Sequence, residues 1–237
     1  MRLFDGEKFG PIYDRDSGAL FSDLQFRRCQ FLTCYISITE NPALRSTVRS
    51  VQVYHCDVQA SSVDNAILED ILVDGLKTHG RFDTWGAVFK HVTLKGRIGN
   101  LKVSDFIVAA DASPALRHKI NLRFQAANAE YYRNVDWALD ISEAEFEECE
   151  IKGVPGHLIR RDPENKVLVN RSKVLELENE WRRLDLSKTH WATSLQSMIK
   201  KEQHADRVLI VPRRSKSFKE LLNGLNLLRR VGVAEPD

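Results

Sequence analysis

Hydrophobic residues recur at every fifth position over residues 51–108, with polar residues between them. The central aliphatic side chains of this repeat are Val53, Val58, Val63, Leu68, Val73, Val88, Ile98, Val103 and Val108. An interval of five is neither the 3.6-residue period of an α-helix nor the alternation of one β-strand. It is typical of a chain that takes a short extended step, turns a corner and steps again, with polar residues at the corner. The pattern predicts the wall of a β-solenoid.

Two shorter blocks, residues 24–36 and 139–151, show the same interval. The Asn41-Pro42 turn predicts that residues 39–50 form a loop that leaves the wall. A fixed frame would bury Asp83 without a partner, which is costly, so we expect residues 77–84 to loop out as a corner. A shift of the frame is expected near Phe89.

Residues 1–22 are rich in Asp, Gly and Ser, with isolated aromatic and aliphatic residues. An uncovered end of a solenoid is an edge to which other chains can add. We therefore interpret this segment as short strands or turns that cover the first coil.

A helical period replaces the five-residue interval over residues 113–133. The predicted helix has one apolar face, with Ser113 as its N-cap and Pro114 at its first position. That face consists of Leu116, Ile120, Phe124, Ala127 and Tyr131. We expect this helix to be an insertion that lies beside the solenoid.

The C-terminal part is predicted to be mostly helical. Residues 167–169 are expected to form a last strand, residues 172–204 two amphipathic stretches, and residues 208–211 a further strand. A capping box at Ser217 predicts a final helix. We divide the chain into a solenoid, residues 1–169, and an α-rich subdomain, residues 170–237.

Triplets of a small residue, any residue and an apolar residue resemble the pentapeptide-repeat family. They are Cys29-Gln-Phe31, Cys34-Tyr-Ile36, Cys56-Asp-Val58, Ala144-Glu-Phe146 and Cys149-Glu-Ile151. The resemblance implies a right-handed quadrilateral β-helix with about twenty residues per coil. Larger residues at the small position, such as Ile71 and Phe106, leave open a right-handed parallel β-helix of irregular coil.

The composition is that of a soluble globular protein, with 43% hydrophobic and 29% charged residues. No apolar run approaches the roughly 20 residues of a membrane helix. The N-terminal residues lack the apolar core of a signal peptide, so we expect a cytoplasmic protein that does not bind membranes.

No motif for a cofactor, a metal or a catalytic nucleophile occurs. The four cysteines form no C-x-x-C pair and are expected to be reduced wall residues. The seven histidines show no metal-ligand spacing, and there is neither a Gly-rich phosphate loop nor a G-x-S-x-G motif. We therefore predict no cofactor.

Positive charge is concentrated at the C-terminal end, where residues 157–237 hold 17 Lys and Arg against 11 Asp and Glu. This excess suggests a partner-binding cluster for an acidic protein or nucleic acid. Its residues are Arg207, Arg213, Arg214, Lys216 and Lys219. The alternative is a solvated helix surface.

Carboxylates of the wall suggest another kind of site. Enzymes with a β-helix fold that cleave polysaccharides use paired carboxylates, and the candidates are Asp57, Asp64, Asp70, Asp74 and Asp83. Some pentapeptide-repeat proteins carry an acidic face that resembles DNA. Here the glutamates of residues 143–150 favour a solvated outer face instead.

Together these patterns predict a non-catalytic scaffold for protein interaction. Its partner is expected to be another protein, and a homo-oligomer is compatible with the sequence. The alternatives are an enzyme that acts on a polysaccharide and a protein that binds nucleic acid, or a nucleic-acid enzyme, through its charged faces.

Overall fold

Thirteen β-strands form one sheet, in which every strand pairing is parallel. The computed structural model describes residues 1–107, 113–201 and 206–235, and within them this sheet is curled as a half-barrel. The mainly β architecture is confirmed. The strands are β1 (Arg2–Asp5), β2 (Lys8–Phe9), β3 (Ile12–Arg15), β4 (Leu20–Arg27), β5 (Gln30–Leu32), β6 (Cys34–Ile38), β7 (Thr47–Gln59), β8 (Ser62–Asp64), β9 (Ile67–Trp85), β10 (Val88–Ser104), β11 (Leu139–Asp140), β12 (Ala144–Ile151) and β13 (Ile159–Arg160).

The chain returns to the same position along the sheet after a nearly constant length. Val51 pairs with Ile71, and Ile71 pairs with Val92, which are steps of 20 and 21 residues. The step before Val51 is longer because the chain leaves the sheet there and forms a 3-10 helix, Pro42–Leu44, in the predicted loop. The following step is longer because it contains the inserted helix.

Residues in the left-handed backbone conformation turn the chain at the corners. Positive φ angles recur every five residues from Ser50, and the interval widens to six once, between Gly80 and Gly86. The corner residues are Ser50, His55, Ala60, Asn65, Asp70, Gly75, Gly80, Gly86, His91 and Gly96. The five-residue interval of the sequence is therefore the spacing of these corners, and the wide interval is the expected shift of frame before Phe89.

Residues 77–84 belong to strand β9 and do not loop out as a whole, but residues 77–80 bulge from the ladder with β10, whose register passes from Leu76–Ile98 to Arg81–Asn100. His79 pairs with Gln59 of β7, and Phe82 pairs with Leu101 of β10. The shifted frame turns Phe82 inward and lets Asp83 bond to Arg81 at 2.8 Å. The burial cost that suggested a loop does not arise, because the carboxylate of Asp83 has a partner.

The inside of the curled sheet is apolar. Buried aliphatic residues of β7, β9, β10 and β12 form its largest cluster, and a cavity of about 250 Å³ remains among them. At the N-terminal end Phe4 stacks on Phe26, and Phe9 stacks on Phe31, with ring centroids 5.3 Å apart in both pairs. Cys29, Cys34 and Cys56 are buried free thiols, and Cys149 is half-buried.

The inserted helix α1 (Pro114–Tyr132) begins as predicted, because the side chain of Ser113 accepts a hydrogen bond from the backbone N–H of Leu116. Its buried residues are Ile120, Phe124 and Tyr132. Leu116 of the predicted face is instead largely exposed. The predicted repeat position Val108 lies outside the described residues, as do positions 202–204 of the second predicted helical stretch.

The C-terminal part combines two strands with short helices. Strands β14 (Lys166–Asn170) and β15 (Asp206–Ile210) pair antiparallel, near the predicted positions. The helices are α2 (Arg171–Glu176), α3 (Glu178–Trp181), α4 (Trp191–Lys201) and α5 (Phe218–Arg230). Ser217 precedes α5, but its side chain makes no capping hydrogen bond. No helix in the described ranges combines the length and the apolar composition needed to cross a bilayer.

Strand β15 joins the two hydrophobic cores. Val208 and Ile210 pack in the core of the curled sheet, whereas Leu209 packs among the helices with Trp181 and Trp191. This alternation follows from the two-residue period of a strand. The C-terminal part therefore covers the β12 end of the sheet interior.

Asp64 is a buried carboxyl group of the sheet. Its Oδ2 accepts a hydrogen bond from Ser62 at 2.7 Å, and its Oδ1 has no hydrogen-bond partner among the described residues. Burial raises the pKa of Asp64, and the charge of Asp83 adds to this against the effect of Ser62, so the pKa is about 6. The ionised form is therefore unfavourable in the folded protein.

We expect Asp64→Asn to stabilise the protein at about pH 7.5 but not at about pH 4. The pKa of Asp64 is higher in the folded than in the unfolded chain, so its contribution to stability is complete below about pH 4 and is lost as pH rises through about 6. The gain is at most about 3 kcal/mol, at roughly 1.4 kcal/mol per pKa unit. Urea unfolding at both pH values measures it, with the exposed Glu145→Gln as control. An equal pH dependence in Asp64→Asn and the native protein would contradict the assignment.

Candidate functional site

The largest cleft lies between the curled sheet and the C-terminal part, and we call it the junction cleft. Its volume is about 700 Å³, within the range of small-molecule sites. One wall is formed by β9, β10 and β12, and the other by β15 and by the segments that precede α4 and α5. Its polar and charged lining residues are Arg81, Asn100, Lys102, Glu148, Glu150, Ser187, Lys188, Thr189, His190, Ser194, Arg207, Ser215 and Ser217.

Cationic side chains reach the junction cleft from both walls. On the sheet side, Lys102 lies 3.6 Å from Glu150 and Arg81 lies 2.8 Å from Asp83. On the other side Lys188 is exposed and forms no hydrogen bond or salt bridge with the described residues. The cleft thus gathers charges from segments about a hundred residues apart in sequence.

Glu150 is ionised in the junction cleft. Partial burial raises its pKa, but the hydrogen bond from Lys152 and the charges of Lys152 and Lys102 outweigh this effect, so the pKa lies below its usual range. A glycosidase needs one carboxyl group that is still protonated near neutral pH. Glu150 does not meet this requirement.

The structure does not bring the five predicted partner-binding residues together. Arg207 is buried and donates hydrogen bonds to Ser194 and Ser197, so its guanidinium is not on the surface. Arg213 bonds to two carboxylates, those of Asp162 and Glu164, at 2.7 and 2.6 Å. Arg214 donates to the backbone oxygen of Ile98, and Lys216 and Lys219 are exposed. The predicted cluster is therefore not one basic patch.

The predicted wall carboxylates lie at three places on the sheet: Asp57 with Asp74, Asp64 near Asp83, and Asp70 alone. Asp57 and Asp74 share a groove of about 430 Å³ on the outside of the sheet. Asp57 lies 3.4 Å from His79, and Asp74 lies 3.5 Å from Lys95. Asp64 is buried, Asp83 bonds to Arg81, and Asp70 lies at a corner beside His91. The glutamates of residues 143–150 are exposed, as expected for an outer face.

His91 lies between two aspartates that precede and follow the inserted helix in the sequence. Its Nδ1 lies 3.2 Å from Asp70, and its Nε2 lies 2.7 Å from Asp136, which follows α1 in the chain. Each ring nitrogen thus lies within hydrogen-bond distance of one carboxylate. The ring also packs on Trp137, at 4.8 Å between centroids. The bridge thus attaches the chain after α1 to the sheet.

We expect His91→Asn to raise the pKa of Asp136 towards its usual value. The hydrogen bond from His91 is the main cause that lowers the pKa of Asp136. Asparagine tolerates the left-handed conformation of this corner, so the fold should persist. Side-chain carboxyl ¹³C NMR measures the titration, with His79→Asn, whose partner is Asp57, as control. An Asp136 titration that is the same in all three proteins would refute the bridge.

The first three strands leave one edge of the sheet open. In the described part of the chain, β1 pairs only with β4, β2 only with β5, and β3 only with β6. We call these three strands the N-terminal edge. As expected, residues 1–22 form short strands that lie on the block beginning at residue 24, and in the described structure they are the outermost strands of the sheet. Phe4 and Phe9, which are five residues apart, are the sequence signal of this continuation.

Exposed apolar side chains are concentrated near the N-terminal edge. Five of the ten large hydrophobic residues that are exposed in the described structure occur within residues 1–32. They are Met1, Leu3, Tyr13, Leu20 and Leu32, each more than half exposed. Exposed apolar side chains beside an unpaired strand edge are typical of a protein-binding site.

Comparisons with known proteins identify no relative. No family model matches the chain. No curated protein and no solved structure matches it either. Among the described residues, no group of three or more His, Cys, Asp or Glu side chains is arranged to hold a metal ion.

Proposed function

We propose that the chain is a non-catalytic protein-interaction module built on a β-solenoid. Steps of 20 and 21 residues between paired strands support the solenoid, as do corners at intervals of five. Four such corners per return support a quadrilateral coil of the pentapeptide-repeat kind. Asp64, the wall carboxyl group with a raised pKa, is buried out of reach of a polysaccharide, and Glu150 is ionised, so the carboxylates favour binding over catalysis.

The contact surface of this module is the N-terminal edge. The observation that carries the proposal is that β1, β2 and β3 each pair on one side only, among exposed apolar residues. The free backbone groups of such strands pair readily with a strand of another chain. Adding a strand there also removes exposed apolar side chains such as Leu3 from water.

The partner that fits this edge is a second copy of the chain. Residues 1–16 carry three Lys and Arg and four Asp and Glu, so two copies can approach with little net repulsion. Two identical edges related by a two-fold axis would pair antiparallel, and the axis would bring the apolar residues of both copies together. A homodimer through the N-terminal edge follows from this geometry.

We expect the native chain to form a dimer that Leu3→Lys weakens about tenfold or more. A lysine on an edge strand opposes pairing, because its charge would have to be desolvated in the interface. The matched control is Leu122→Lys in α1, since Leu122 and Leu3 are 49% and 51% exposed. Sedimentation equilibrium over a range of concentrations gives the dissociation constants.

Two results would contradict this proposal. A native chain that stays monomeric up to about 100 μM would exclude self-association through the edge. Equal weakening by Leu3→Lys and Leu122→Lys would show that the dimer does not use β1. Circular dichroism of all three proteins separates either result from a loss of folding.

A further inference from the structure

We propose that the junction cleft binds a small organic anion that carries an apolar group. This site is separate from the N-terminal edge, and the inference does not depend on self-association. It rests on the volume of the cleft, the signs of its charges and the apolar residues between them.

The volume of the junction cleft fits a small molecule. A cleft of about 700 Å³ lies well within the range of roughly 300–1,000 Å³ that is usual for ligand sites. Its two walls come from different cores, so a ligand between them would contact the sheet through β10 and β12 and the helical part through β15. A folded protein domain would not fit between these walls.

The charged groups of the cleft favour an anion. Three accessible cationic side chains, Arg81, Lys102 and Lys188, line it against the two carboxylates of Glu148 and Glu150, while Arg207 is buried in its wall. Glu150 is already compensated, because both Lys102 and Lys152 pair with it. Lys188 faces these residues from the opposite wall and forms no salt bridge with the described residues. The charge of Lys188 interacts with that of Asp185 without a direct salt bridge, so an anionic ligand group could still accept a charge-assisted hydrogen bond from it.

The apolar part of the lining favours a ligand with an apolar group. Between the charged walls lie Leu101, Ile151, Val208, Ile210 and Pro212, all of them buried. A fully hydrated ion such as free phosphate would make no use of the apolar surface that these residues present to the cleft. Burying a ring or a short alkyl chain against them contributes roughly 25 cal/mol per Å² of apolar surface.

Phenyl phosphate combines both features and is the probe for this site. We expect saturable binding to the native protein, observed by saturation-transfer NMR and calorimetry. Phenol lacks the charge and inorganic phosphate lacks the ring, so the dissociation constant of each should be about tenfold higher or more. Lys188→Glu should weaken phenyl phosphate about tenfold or more, since a charge-assisted bond is replaced by repulsion.

The matched control is Lys119→Glu, an equally simple charge reversal at an exposed position of α1 outside the cleft. It should leave the dissociation constant within about twofold of the native value. Arg81→Glu, on the sheet wall, provides a second variant if Lys188→Glu fails to fold. No saturable binding of phenyl phosphate, or equal weakening by the cleft variants and Lys119→Glu, would overturn the proposal.

Discussion

The left-handed corner is the backbone constraint on which the curled sheet depends. A single residue with positive φ turns the chain between two short extended steps, and five residues later the next corner repeats the turn. Non-glycine residues such as His55 and Ala60 adopt this conformation at a cost of about 1–2 kcal/mol each. The parallel ladders and the apolar interior must offset that cost. At Gly75 a side chain is also excluded by space, because a Cβ atom would lie 2.6 Å from Nδ1 of His55.

Corners explain which parts of the fold the sequence predicts. Between two corners, the short extended step turns the same positions inward each time, so the five-residue interval predicts the strands of the sheet. The inserted helix is predicted because this interval ends at Ser113. The frame slip between Gly80 and Gly86 is harder to recognise, because glycine carries no hydrophobic signal. A frame fixed before the slip assigns Asp83 to the interior and predicts a loop, whereas the shifted frame places Phe82 there. The local sequence predicts the five-residue interval between corners but not the one interval that contains a sixth residue.

The two ends of the sheet interior are treated differently. At the β12 end, Val208 and Ile210 of β15 pack on the sheet core, while the alternate residues of the same strand hold the helices. At the other end Phe4 and Phe9 stack on Phe26 and Phe31, and their strands β1 and β2 pair on one side only in the described structure. At this end residues 1–22 are themselves the outermost strands, whereas at the β12 end a distant segment of the chain packs on the sheet. The sequence alone does not show which end a distant segment covers, because that depends on tertiary packing.

The junction cleft is a consequence of the covered end. Strand β15 fits the interior of the sheet, but the segments that flank it must pass around the outer face of β12, where Glu148 and Glu150 project. Lys188 and Arg81 meet there although 107 positions separate them in the chain. No spacing rule can predict such a pair, because it depends on how one core docks on another. Strands β4 and β7 lie between this cleft and the N-terminal edge, so different strands of the sheet form the two surfaces.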